Sequence, residues 1–274
     1  MAYFETSDGL KLFYTDEGAG VPVLCLAGLT RTTADFDYVT PHLSNVRLIK
    51  LDYRGRGKSQ WDAQWQNYNL MVEARDALEL LDHMGIDKAA ILGTSRGGLI
   101  AMGLGMTAKE RLLGVALNDI GPEISPVGLA FIMGYLGRRP AASDHIEAAR
   151  ALQSAMHGFR DVPFTRWVEE VKKHFVETAD GLDITYDPRL RDAVEAQGAQ
   201  AAPDLWPLFD ALDGLPLAVL RGENSDLFTA ETLQKMQARR PDMLAATVMG
   251  RGHIPFLDEP EAVATLQTWT GQLA

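Results

Sequence analysis

The chain has 274 residues, 46% of them hydrophobic and 23% charged, with a mean hydropathy of −0.09, a balance that excludes wholesale disorder and fibrous repeats. With 37 acidic against 26 basic residues the formal net charge is −11, which repels nucleic-acid phosphates and anionic lipid and leaves a small-molecule substrate as the expected partner. One cysteine, Cys25, can form neither an internal disulfide nor a multi-thiolate metal site.

The opening MAYFET carries an early acid and neither a basic nor an apolar leader region, so no signal peptide is expected. The most apolar stretches, around residues 21–29 and 99–106, are too short to span a bilayer. A cytoplasmic location follows as an expectation, and a homodimer remains open.

Residues 10–15 (LKLFYT) alternate and are aromatic-rich, which predicts a half-exposed edge strand. Residues 21–27 and 46–52 are short apolar runs ending in polar or glycine-rich turns, as buried parallel strands do. Asn69 caps a predicted helix whose apolar positions Leu70, Ala74, Ala77, Leu78 and Leu81 share one face, and Gly85 stops it. A strand at 89–93 leads into a Gly/Ala/Leu-rich helical stretch at 97–107, and 112–118 is strand-like again. From about 122 to 211 no core strand is expected, only helical patterns, clearest at 144–157 and 164–178. The rhythm resumes with a strand at 217–220, a helix at 230–239, a strand at 245–249 and a last helix from Glu259. This pattern predicts an α/β core with a mostly parallel sheet, formed by residues 1–121 and 212–274 and interrupted by a helical cap at 122–211. The cap should lie over the strand ends, where open α/β sheets place their ligands.

Gly93-Thr94-Ser95-Arg96-Gly97 fits G-x-S-x-G between a predicted strand and a predicted helix. The glycines leave room for a serine held on a sharp turn. A serine nucleophile needs a base, because its hydroxyl is barely ionised at neutral pH. Of the six histidines, His42, His83, His145, His157 and His174 fall in predicted helices or the insertion. His253 alone follows a late strand, between glycines in Gly250-Arg251-Gly252-His253. The carboxylate that orients it is expected at Asp226, in the loop after the preceding strand, with Asp119 and Glu223 as alternatives. The expected oxyanion donors are the backbone amides of Leu29 and Arg96. The Arg31 and Arg96 side chains suit either a substrate carboxylate or structural ion pairs. Phe131, Tyr135 and Trp167, with Met133 and Phe159, are candidates to line a substrate pocket, or simply to pack the cap.

Taken together, Ala27-Gly28-Leu29, residues 52–59 (DYRGRGKS), 93–98, 222–226 and Gly252-His253 resemble the α/β-hydrolase-fold superfamily of capped serine hydrolases. Two departures are Ala27 in place of the usual histidine before Gly28, and Arg56 where histidine is common. The resemblance implies hydrolysis of an ester, thioester or lactone, with no metal and no organic cofactor. The same fold also supports carbon–carbon hydrolysis, cofactor-free oxygen or peroxide chemistry, and ligand binding without catalysis. Gly57-Lys58-Ser59 looks like the end of a P-loop, but Asp52 stands where that motif needs its first glycine. No H-E-x-x-H or similar cluster offers a zinc site.

Overall fold

The computed structural model describes residues 2–198 and 203–273, so residues 199–202 of the expected insertion lie outside the described residues. Eight strands form one sheet: β1 (Ala2–Glu5), β2 (Lys11–Gly18), β3 (Val21–Leu26), β4 (Val46–Leu51), β5 (Ala89–Thr94), β6 (Leu112–Asn118), β9 (Leu217–Gly222) and β10 (Leu244–Val248). Their order is β1-β2-β4-β3-β5-β6-β9-β10. The first two run antiparallel to their neighbours, and every pairing from β4 onward is parallel. Two further strands, β7 (Phe175–Thr178) and β8 (Gly181–Ile184), make a separate antiparallel hairpin.

Alternation along the central strands divides the core between the two faces of the sheet. Leu24, Leu26, Ile49, Leu51, Ile91, Val115 and Val219 meet α1 (Leu70–His83) and α2 (Arg96–Thr107) through Leu80, Ile100 and Leu104. Val23, Cys25, Leu48, Ala90, Leu92, Ala116 and Ala218 face the other way, onto Phe36, Leu266 and Trp269. Both faces are covered, and this is why these strands read as continuous apolar runs. The helix signals act as expected at α1: Asn69 Oδ1 accepts the Val72 amide at 3.0 Å, and Gly85 follows with φ 67°.

Two local expectations are corrected. The strand at 10–15 is not at the edge, since β2 is paired on both sides and β1, too short to carry a pattern, takes the edge. The helix expected over 164–178 stops at His174, because Phe175 and Val176 extend into a hairpin that turns at Gly181 with φ 104°.

Between β6 and β9 the chain forms α3 (Pro126–Tyr135), α4 (His145–Ala155), α5 (Phe164–His174), α6 (Leu190–Gly198) and α7 (Trp206–Asp210). The α4, α5 and β8 elements bury a small core of their own: Ala148, Ala149, Trp167, Val171 and Leu182. Phe209 of α7 instead joins the main core. The fold closes with α8 (Ala230–Arg239) and α9 (Pro260–Thr270). Among the described residues no helix is long and apolar enough to cross a membrane.

Candidate active site

Ser95 sits on the turn from β5 into α2 with φ 49° and ψ −110°, a conformation that side chains rarely adopt and that costs on the order of 1–3 kcal/mol. The strain is held by packing that only glycine permits. A Cβ on Gly97 would stand 1.9 Å from the Leu26 carbonyl oxygen, and one on Gly93 would stand 2.5 Å from the Gly97 carbonyl oxygen. The Ser95 amide donates to the Asn118 carbonyl at 2.9 Å, which ties the turn to the end of β6.

His253, in the loop after β10, places Nε2 3.1 Å from Ser95 Oγ and Nδ1 2.8 Å from Asp119 Oδ2. With Nδ1–H donating to the carboxylate, Nε2 is left as the acceptor for the serine hydroxyl. Asp119 is fully buried at the end of β6, with φ 54°. Its Oδ1 accepts the Gly222 amide at 2.8 Å, and its Oδ2 also accepts the Ser225 hydroxyl at 2.6 Å.

The expectation that Asp226 pairs with His253 is therefore corrected: Asp119 holds that place. The sheet order explains it. β6 lies directly beside the serine's strand, whereas β9 lies one strand further out, and the loop after β9 turns back through a Ser225 N–H to Gly222 carbonyl bond of 3.0 Å. That turn aims Ser225 at Asp119 and leaves Asp226 exposed. Glu223 is occupied elsewhere, accepting the Gly250 amide at 2.9 Å. Ser225 is the site residue that sequence reasoning missed. Its only signal was a small hydroxyl side chain next to the favoured aspartate.

Beside Ser95, the Gly97 amide reaches the Ala27 carbonyl at 3.1 Å and the Arg31 amide reaches the Gly28 carbonyl at 3.1 Å. The first bond holds the loop after β3 against the serine turn, and the second closes a turn within that loop. The amides of Leu29, in that loop, and of Arg96, next to the serine, donate to no acceptor among the described residues.

The arginine side chains are committed to the protein. Arg96 Nε lies 2.5 Å from Glu73 Oε2, and Arg56 Nη1 lies 2.7 Å from Glu73 Oε1. Burial pushes the Glu73 carboxyl up, but the two guanidiniums outweigh it and hold the group below its ordinary value. The Arg56 guanidinium lies 5.5 Å from the centre of the Tyr53 ring and 5.4 Å from that of Tyr68. Arg31 bridges Asp35 at 3.0 Å and Glu170 at 3.3 Å, joining the loop after β3 to α5.

Two chambers lie near this site, and His253 borders the smaller of them. The larger, about 580 Å³, is lined by Thr30, Arg31, Phe131, Tyr135, Phe159, Trp167 and Phe256 among others; of the five expected pocket residues only Met133 does not border it, packing instead beside Leu136, Ile184 and Tyr186. The smaller, about 380 Å³, is lined by His253, Asp226, Asn224, Phe131 and Tyr135 among others. Phe131 and Tyr135 stand between them, edge to face at 6.0 Å. Trp167 is nearly buried and packs on Phe159 and Phe256, at 5.4 and 6.3 Å between ring centres. It is thus both chamber wall and packing residue. Among the described residues, no three His, Cys, Asp or Glu side chains are grouped so as to hold a metal ion.

The pattern of the alpha/beta hydrolase family matches residues 23–266. A 3-hydroxybutyrate-oligomer hydrolase of Cupriavidus necator is 34% identical over 261 residues, covering 91% of this chain and 88% of that protein. A 2-(acetamidomethylene)succinate hydrolase of Mesorhizobium japonicum is 25% identical over 264 residues, covering 95% and 91%. In structure, an alpha/beta hydrolase from Novosphingobium aromaticivorans superposes with a TM-score of 0.92 at 38% identity, covering 99% of this chain and 97% of that one.

Proposed function

Since this chain belongs to the alpha/beta hydrolase family, we propose that it is a serine hydrolase that cleaves a small-molecule carboxylic ester through an acyl-enzyme on Ser95. The observation that carries the reading is the continuous hydrogen-bond chain from Ser95 Oγ through both His253 nitrogens to buried Asp119. His253 Nε2 takes the serine proton as Ser95 Oγ attacks the acyl carbonyl carbon. Asp119 orients the imidazole and stabilises its protonated form. The Leu29 and Arg96 amides hold the oxyanion, and losing one such donor typically costs about 10²–10³ in turnover. On collapse the carbon–oxygen bond breaks, and the leaving alcohol takes the proton from His253 Nε2. Water then gives a proton to the same nitrogen and attacks the acyl carbon, which releases the acid and restores Ser95.

In this reading the inserted helices act as a cap, with Phe131, Tyr135 and Trp167 supplying apolar walls of the substrate chamber. The Cupriavidus relative, which covers nearly the whole chain, makes oligoesters of short hydroxy acids the first substrates to test, followed by simple esters, thioesters and lactones. The test is steady-state turnover of that series by the wild type and by Ser95→Ala, with intact-mass detection of the acyl-enzyme. Turnover lost in Ser95→Ala and an acyl adduct on the wild type are expected. Equal turnover by the variant would overturn the reading.

A further inference from the structure

Asp226 is left without a role once Asp119 takes the place on His253. Its carboxylate is exposed and makes no hydrogen bond or ion pair with the described residues. It nevertheless lines the same 380 Å³ chamber as His253, and its backbone is fixed there. The preceding Ser225 is bound to Asp119 at 2.6 Å, the Asn224 amide donates to the Arg251 carbonyl at 2.8 Å, and the Asn224 side chain donates to the Gly158 carbonyl at 2.8 Å.

The two chambers are chemically distinct positions for a substrate. The larger is bordered by Thr30, next to the Leu29 amide, and by Ile254, but not by His253 itself. The smaller is bordered by His253, whose Nε2 must hand its proton to the departing oxygen. On the proposed ester reading, on which this inference rests, the acyl part lies in the larger chamber and the leaving group passes through the smaller one.

We propose that Asp226 sets the charge preference for the leaving group, favouring cationic over neutral alcohols and disfavouring anionic ones. The other ionisable groups of that chamber are Tyr135, His157, His253 and Arg160. Arg160 is turned to its own partners, the Asn224 side-chain oxygen at 3.4 Å and Glu223 at 3.9 Å, so among the described residues Asp226 is the carboxylate of the chamber that has no cation paired with it. Its field also reaches the wall between the chambers: the Tyr135 hydroxyl is pushed up to about 12, first by burial and further by Tyr186 and Asp226, against the opposing effect of Arg31. For oligoesters of hydroxy acids, the bond next to a free carboxylate end is cut more slowly than the same bond in the methyl-capped oligomer.

The experiment compares kcat/KM for three butyrate esters of similar size, formed with choline, its uncharged carbon isostere and hydroxyethanesulfonate. The expected order is cationic, neutral, anionic, with about threefold between steps and less as salt is raised. Asp226→Asn is expected to bring the three within twofold of one another, and Asp226→Lys to reverse the order. Turnover of the neutral ester with a flat or reversed series in the wild type, or an unaltered series in Asp226→Asn, overturns this inference alone. Turnover of none of the three overturns the ester-hydrolase reading as well.

Discussion

Ser225 donates its hydroxyl to Asp119 Oδ2 at 2.6 Å, on the same oxygen that receives His253 Nδ1 at 2.8 Å. The loop after β9 thus supplies a hydrogen bond to the carboxylate where an acid from that loop was expected to be the carboxylate itself. The chain order of serine, acid and histidine is kept by Ser95, Asp119 and His253, but the acid has moved one strand toward the nucleophile.

Asp119→Asn reverses the donor and acceptor pattern on His253 Nδ1 and favours the tautomer that cannot accept the serine proton. A fall in kcat of about 10³–10⁴ is expected. Asp226→Asn, in the same steady-state assay on a neutral ester, is expected to retain more than about 100 times the kcat of Asp119→Asn. Equal losses would return the role to Asp226.

Ser225→Ala removes one of the hydrogen bonds to a buried carboxylate, an interaction worth about 1.5–3 kcal/mol with a charged partner. The expected outcome is a drop in kcat of about tenfold with KM little altered, because the group positions Asp119 without touching substrate. Ser225→Thr, which keeps the hydroxyl, is expected to restore turnover. A loss seen only in KM would contradict the positioning role.

The Arg56–Glu73–Arg96 cluster is buried, with Glu73 at 0% exposure. Glu73→Gln leaves two guanidiniums without their counter-charge and is expected to lower stability by about 3–5 kcal/mol at neutral pH, read from denaturant unfolding. The folded-state value of Glu73 is depressed, so its contribution is complete above its unfolded value and fades as pH falls through the folded one. The gap between wild type and Glu73→Gln should therefore narrow in acid. A gap that widens in acid would contradict the assignment.

Phe131 and Trp167 border the same chamber but carry different packing. Phe131 is 44% exposed and Trp167 only 3%. Phe131→Ala is expected to alter the preference for acyl-chain length with stability changed by about 0.5 kcal/mol or less. Trp167→Ala is expected to alter the same preference and also to cost about 3–5 kcal/mol. An ester series of increasing acyl length, with thermal unfolding of each variant, distinguishes the two. A uniform loss across chain lengths for Phe131→Ala would mean that it lines no part of the acyl path.

Much of this was legible in the sequence for physical reasons. Apolar runs such as 112–118 have little choice but to be buried strands, and Asn69 and Gly85 mark their helix from both ends through backbone chemistry. The serine turn was legible because its strain requires glycines at fixed spacing. The acid was not. Asp119, Glu223 and Asp226 all lie just past strand ends, and which one meets His253 depends on the β6–β9 adjacency and the turn at Ser225, both set by long-range pairing. The short edge strand β1 and the β7–β8 hairpin are likewise products of partners distant in sequence, with too few residues to show a period of their own.

The most direct test of the central claim is intact-mass spectrometry after treatment with a fluorophosphonate, on wild type and Ser95→Ala. A single phosphonyl adduct on the wild type, mapped to Ser95 and absent from the variant, is the expected result. A folded wild-type protein that takes up no adduct, or takes it up equally in Ser95→Ala, would contradict a serine activated by His253 and Asp119.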